Sequence, residues 1–182
     1  LLGITIICIL ALASSKRSTS KGIDTKSTGW HSAGSGDVIY LDRNNVECNG
    51  GSALARFQLK RSGDNLQYER TCLTHPGVIG HATQTKQTSK NYHNGSGGST
   101  NYLDRHHVNC PSGYAIQRFR LQSGGNRMWY TYRCVMAHLG GCATYYTGWT
   151  DAGSNHRNYY LDRQNVTVKN QYSQVMQAFR LR

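Results

Sequence analysis

The tetrapeptide Tyr-Leu-Asp-Arg occurs three times, at Tyr40–Arg43, Tyr102–Arg105 and Tyr160–Arg163. A recurrence at this spacing makes the chain a repeat, in which each unit is too small to bury its own apolar face and has to share a core with its neighbours. The first two copies align without a gap at an offset of 62: Cys48 and Cys110 each follow the tyrosine by eight residues, Phe57 and Phe119 by seventeen, and Cys72 and Cys134 by thirty-two. Upstream, Trp30 stands ten residues before Tyr40, Tyr92 ten before Tyr102 and Trp149 ten before Tyr159, each followed by a Gly/Ser-rich turn.

The unit therefore reads as an aromatic, a Gly-Ser turn, YLDR, a valine, a cysteine, a Phe-x-Leu strand and a Tyr-rich strand that ends in cysteine. Val38–Leu41 reads as a strand. Ala55, Phe57 and Leu59 alternate on one face of the next one, as do Ala115, Phe119 and Leu121, and then Val175, Phe179 and Leu181. The turns Ser62–Asn65 and Ser123–Asn126 join each Phe-x-Leu strand to the one that returns. No segment keeps a helical period for three turns. The expected fold is all-β, with three pseudo-symmetric antiparallel β modules in a β-prism-like arrangement. Modules 1, 2 and 3 span 30–72, 92–134 and 149–182, with connectors over 73–91 and 135–148.

Module 3 departs in two ways. Val168 stands where the first cysteine belongs, and the sequence ends at Arg182 before a closing strand. At the other end, residues 1–15 form an apolar stretch with two readings. One is a secretory signal peptide cut near Ala13-Ser14 or Ser15. In the other, Ile4-Thr5-Ile6-Ile7-Cys8 is a retained donor strand that resembles the closing strands ending in Cys72 and Cys134, and supplies what module 3 lacks. The stretch is too short to span a membrane comfortably. Residues 16–29 are Ser/Thr/Lys-rich and read as a flexible lead-in.

The cysteines support this organisation. Cys48 with Cys72 and Cys110 with Cys134 are the natural pairs, each closing a separation of 24 residues. In the loop-entropy model each is worth about 3.5 kcal/mol. Cys8 precedes Cys72 by 64 residues, nearly the repeat length, whereas Cys142 has no module counterpart; the two are expected to be unpaired, to bridge subunits or, if the N-terminus is retained, to pair with each other. Disulfides imply a secreted, extracellular protein. The sequons at Asn94 and Asn165 are candidate N-glycosylation sites.

Composition narrows the partners. With 21 Lys+Arg against 9 Asp+Glu, the net charge of +12 favours an acidic polysaccharide or another polyanion. The basic residues are scattered and no RNA-binding or zinc-finger motif occurs, which disfavours nucleic acid.

The repeated pairs Asp42-Arg43, Asp104-Arg105 and Asp162-Arg163 could suggest acid/base chemistry. Neighbours on a strand point to opposite faces, however, so a structural role is expected: the Asp accepting backbone N–H groups and the Arg covering the next module. His106-His107 meets the same objection as a metal site. No catalytic residue, metal or cofactor is expected, and the chain does not read as an enzyme. Trp30, Tyr92 and Trp149 are candidate carbohydrate-binding rings, because sugars stack their apolar faces on exposed aromatics; the alternative is that they cap the core.

The segment Cys110-Pro-Ser-Gly-Tyr-Ala-Ile-Gln-Arg-Phe-Arg-Leu, with Tyr130-x-Tyr132-x-Cys134 after a Gly-rich turn, resembles the vitelline membrane outer layer family. The resemblance covers the Cys-to-Cys half of modules 1 and 2; YLDR and Val168 depart from it. It implies a threefold β-prism, a role in an extracellular coat or matrix, and saccharide binding. Two functions follow as expectations: a structural subunit that self-associates head to tail by strand addition, or a soluble multivalent lectin.

Overall fold

Three Phe-containing strands and the strands that return from them set the architecture, because alternating apolar residues on either side of a tight turn make antiparallel ladders. A computed structural model describes residues 2–10, 22–93, 98–151 and 157–181. In chain order the strands are β1 (Leu2–Leu10), β2 (Gly22–Ser27), β3 (His31–Ser32), β4 (Val46–Glu47), β5 (Ser52–Ser62), β6 (Asn65–Thr74), β7 (Val78–Gln87), β8 (Asn91–Tyr92), β9 (His107–Asn109), β10 (Tyr114–Gly124), β11 (Arg127–Ala137), β12 (Leu139–Trp149), β13 (Asn165–Thr167) and β14 (Gln174–Leu181). The chain is all-β, and every pairing is antiparallel.

The strands form three open sheets of the same plan. Their orders are β13-β5-β6-β2, β4-β10-β11-β7 and β9-β14-β1-β12, with β3 also on β6 and β8 also on β11. Each short strand that follows a YLDR segment joins a sheet other than that of the hairpin after it: β4 pairs β10, β9 pairs β14 and β13 pairs β5. The sheets are thus linked in a cycle.

A repeated irregularity fixes each link. The ladders skip Ala55, Gln117 and Gln177, the extra residue of a bulge in β5, β10 and β14. A bulged residue leaves its carbonyl free of the ladder. Those three carbonyls accept the N–H of Val168 (3.0 Å), Cys48 (2.9 Å) and Cys110 (3.0 Å), the residues just after the short strands. Val46, Val108 and Val166 on the short strands are all buried.

The core is one cluster. At its centre Phe57, Phe119 and Phe179 meet mutually, with ring centroids 4.8 Å, 4.8 Å and 4.9 Å apart. Their tilted, edge-on contacts put positive ring edges against negative ring faces. Two disulfides, Cys48–Cys72 and Cys110–Cys134, staple the first two hairpins to the short strands, each with Cα atoms 5.7 Å apart.

Several expectations are corrected. Val38–Leu41 is not a strand: Val38–Arg43, Thr100–Arg105 and Asn158–Arg163 are 3-10 helices, whose three-residue period buries Val38 with Leu41, Thr100 with Leu103, and Asn158 with Leu161. The connectors 73–91 and 135–148 contain β7 and most of β12, and the lead-in 16–29 contains β2. These three are edge strands with mostly exposed residues. Their polar sequences lack the alternation of a half-buried strand.

Candidate functional site

The N-terminal strand is the feature that completes the third sheet. β1 lies between β12 and β14 with both edges paired. Its register reveals which residues replace the missing disulfide. In the other sheets the residue before the bulge faces a cysteine: Leu54 faces Cys72 and Ile116 faces Cys134. Before the third bulge Met176 faces Ile7. Ile7 therefore holds the register position of Cys72 and Cys134, one residue before Cys8, and Val168 stands where the other modules have Cys48 and Cys110.

Cys8 faces Cys142 across the β1–β12 ladder. Of the alternatives for Cys142, the unpaired one falls away: it is disulfide-bonded, and no described cysteine is free.

The YLDR segments do the same thing three times. Each arginine folds back over its own tyrosine, with the guanidinium carbon 4.3 Å (Arg43 on Tyr40), 4.3 Å (Arg105 on Tyr102) and 4.6 Å (Arg163 on Tyr160) from the ring centroid. The same guanidinium donates to a carbonyl near the upstream aromatic: Ser32 O at 3.1 Å, Tyr92 O at 3.4 Å and Asp151 O at 3.2 Å. The arginine thus pins its own aromatic turn instead of covering another sheet.

Contact with the next sheet comes from the aspartate's main chain. Asp42 O accepts from Arg120 Nε (2.7 Å), Asp104 O from Arg180 Nε (2.8 Å) and Asp162 O from Gln58 Nε2 (3.2 Å), each donor following one of the three central phenylalanines. Asp42 also accepts from Ser123 Oγ through its carboxylate at 2.5 Å. The Asp-Arg pairs thus link each aromatic turn to its own tyrosine and each YLDR segment to the next sheet.

The residue after each YLDR is buried and polar: Asn44, His106 and Gln164. Thr28 donates to Asn44 Oδ1 (2.6 Å), Thr88 lies 2.9 Å from His106 Nδ1, and Thr147 and Thr150 bond Gln164. Burial pushes the His106 imidazole below its ordinary range, although Asp104 opposes this. His106 is buried and His107 exposed, so the two diverge. Among the described residues no group of three or more His, Cys, Asp or Glu could hold a metal ion.

Trp30, Tyr92 and Trp149 are exposed by 48%, 57% and 76% respectively, so they do not cap the core. They are not bare rings alike: Arg127 lies 4.5 Å from the Tyr92 centroid and donates to its hydroxyl at 3.0 Å. Sequence reasoning missed two more exposed tyrosines, Tyr146 and Tyr172. Tyr146 sits on the edge strand β12, whose neighbours gave no strand signal. Asn165 is exposed on β13, where its Oδ1 accepts from Arg56 Nε at 2.9 Å. Asn94 lies outside the described residues.

No helix among the described residues is long and apolar enough to cross a membrane. No protein-family model, curated protein or solved structure matches the chain.

Proposed function

We propose that the chain is a secreted, disulfide-bonded, glycosylated β-repeat protein, a three-module β-prism that serves as a structural subunit of an extracellular coat, matrix or filament. Its role is assembly, not catalysis. The observation that carries this reading is the placement of β1, which pairs along both edges in the third sheet while belonging to the far end of the chain. Residues 11–21 separate β1 from β2, a tether that can reach about 36–40 Å when extended. A strand on such a tether makes the same contacts in its own chain or in the next one. In the second case every subunit donates one strand and accepts one, and an open series grows head to tail.

Other features support the reading. Two disulfides suit an oxidising compartment. The common bulges, the cyclic exchange of short strands and the central phenylalanines support three equivalent modules around one axis. The resemblance to the vitelline membrane outer layer family belongs to the same proposal, as does glycosylation at Asn94 and Asn165. The charge of +12 would draw acidic polysaccharide to such a coat.

Size measurement by light scattering tests the proposal. The expected result is a concentration-dependent series of oligomers that collapses to one species when residues 1–15 are deleted and is restored by adding a β1 peptide. A single monomeric mass at all concentrations would overturn it. A second reading, a multivalent lectin, is favoured by the exposure of Trp30, Tyr92 and Trp149. A monomer that binds an oligosaccharide array and loses binding on Trp149→Ala would establish it instead.

A further inference from the structure

One arginine of the second sheet has nothing to hold. Directly opposed residues in a ladder share a face, and across β4, β10, β11 and β7 one such row runs Glu47, Arg118, Arg133 and Thr85. Alternation puts this row on the side away from the buried Phe119. Glu47 is taken at both oxygens: Oε1 accepts from Arg133 Nη2, and Oε2 accepts from Asn45 Nδ2 at 2.8 Å. Arg118 is left without a hydrogen bond or an ion pair among the described residues, although it is only partly exposed and its Nε is buried. The Nε of Arg133 is also buried without a partner.

The equivalent positions in the other sheets are different. Arg56 precedes Phe57 as Arg118 precedes Phe119, and it donates from all three nitrogens: Nε to Asn165 (2.9 Å), Nη1 to Glu69 (2.5 Å) and Nη2 to Gln58 (2.9 Å). Across from it stands Thr71, not a second arginine. In the third sheet the position is Ala178. Arg118 and Arg133 are like charges directly opposed, which repel, and a partly desolvated guanidinium without an acceptor costs free energy. An anion from outside relieves both.

The cations continue along the same face. Arg120 and Thr131 form the next row, and Arg120 spends only its Nε, on Asp42 O. Gln122 and Trp129 form the row after that, with Lys90 Nζ 4.4 Å from the Trp129 ring centroid. Four residues of β11 separate Arg133 from Trp129, about 14 Å of strand, so the stripe is longer than a small ion. The Asp42 carboxylate at its border is committed to Ser123 Oγ.

We propose that the outer face of the second sheet binds an acidic polysaccharide, with one oxyanion, a sulfate ester or a uronate carboxylate, held between Arg118 and Arg133. A guanidinium fork matches either group with two parallel N–H···O bonds. Arg120 and Lys90 meet charges further along the polymer, and Thr131 and Gln122 meet its hydroxyls. A single-stranded nucleic acid fits less well, because Lys90 covers Trp129 and leaves that ring no bare face on which to stack a base.

This inference rests on the reading of the chain as an extracellular protein that meets acidic polysaccharide, but not on strand donation, since β1 belongs to another sheet. The two fail separately, one by size measurement and the other by binding. The test is isothermal titration calorimetry of the full chain with dextran sulfate, polygalacturonate, neutral dextran and oligo(dT). Binding of at least one acidic glycan is expected, and the one that binds identifies the oxyanion; neutral dextran should not bind. Arg118→Gln breaks no described contact and is expected to weaken binding about tenfold, for the loss of charge-assisted hydrogen bonds. Arg56→Gln removes the same charge from the equivalent place in the first sheet and should change affinity less than about twofold, as a screened surface charge does. Lys60→Gln, on the same face as Arg56, is the control if that variant does not fold. No binding of either acidic glycan, equal binding of neutral dextran, equal losses from Arg118→Gln and the controls, or oligo(dT) binding as tightly as the better glycan would each overturn the proposal.

Discussion

Removing one ring from the central phenylalanine cluster should disturb all three sheets at once. Phe119 is buried and lies 4.8 Å from both Phe57 and Phe179. Phe119→Ala loses the transfer free energy of the ring and leaves a cavity that the flanking disulfide-stapled hairpins cannot close, at a cost of about 3–5 kcal/mol. For a chain of this size that lowers Tm by roughly 6–20 °C. The cluster geometry predicts more than a large cost. Each ring pair is worth about 0.5–1.5 kcal/mol beyond area burial. A double-mutant cycle on Phe57→Ala and Phe179→Ala should therefore show coupling of about 1 kcal/mol, with the double variant less damaged than the sum. Urea unfolding followed by far-UV circular dichroism measures both. A cost under about 1 kcal/mol for Phe119→Ala, or strict additivity of the other two, would mean that the rings do not share a centre.

The remaining predictions concern bridges and ionisation. Replacing Cys48 and Cys72 with Ser, or Cys110 and Cys134, should each destabilise by about 3.5 kcal/mol in the loop-entropy model, since both close a separation of 24 residues; unequal denaturation midpoints for the two variants would contradict their equivalence. Alkylation of the unreduced protein should add no mass at Cys142, because that residue is disulfide-bonded. The hydrogen bond from Arg56, 2.5 Å from the Glu69 carboxylate, holds Glu69 below its ordinary range. Its stabilisation is present above the unfolded glutamate value and is lost as pH falls through the lower folded one, so Glu69→Gln should flatten the acid limb of a stability–pH curve. Tyr68 and Tyr130 are raised by burial from an ordinary value of 10.0, so their contribution is complete below pH 10 and is lost as pH rises toward the folded values. In an absorbance titration at alkaline pH these two should ionise only together with unfolding.

The repeat, the inward phenylalanines and the two within-unit disulfides were legible because each leaves a mark at a fixed offset in the sequence. Phe57, Phe119 and Phe179 alternate with polar neighbours, and alternation is what a half-buried strand requires. The YLDR segments misled because Val-Ile-Tyr-Leu has the residue types of a strand, whereas the burial of Val38 with Leu41 follows a period of three. β7 and β12 were hidden for the opposite reason: exposed edge strands need no apolar face, so Thr-Gln-Thr-Lys can pair as well as Val-Ile-Val. The repeated aromatics Trp30, Tyr92 and Trp149 are marked by their spacing, but only burial could tell a surface ring from a core one. Which sheet receives β4, β9 or β13 was not legible at all, since a main-chain ladder is indifferent to the side chains that would have to announce it.

Thr5 faces Phe179, so the sheet that finishes the molecule joins residues from opposite extremes of the described chain. Ladders between residues so far apart in the chain are slow to close, whereas β5–β6 and β10–β11 each fold back across a tight turn and carry a disulfide. Refolding from denaturant should therefore protect the backbone amides of those two hairpins before those of β14.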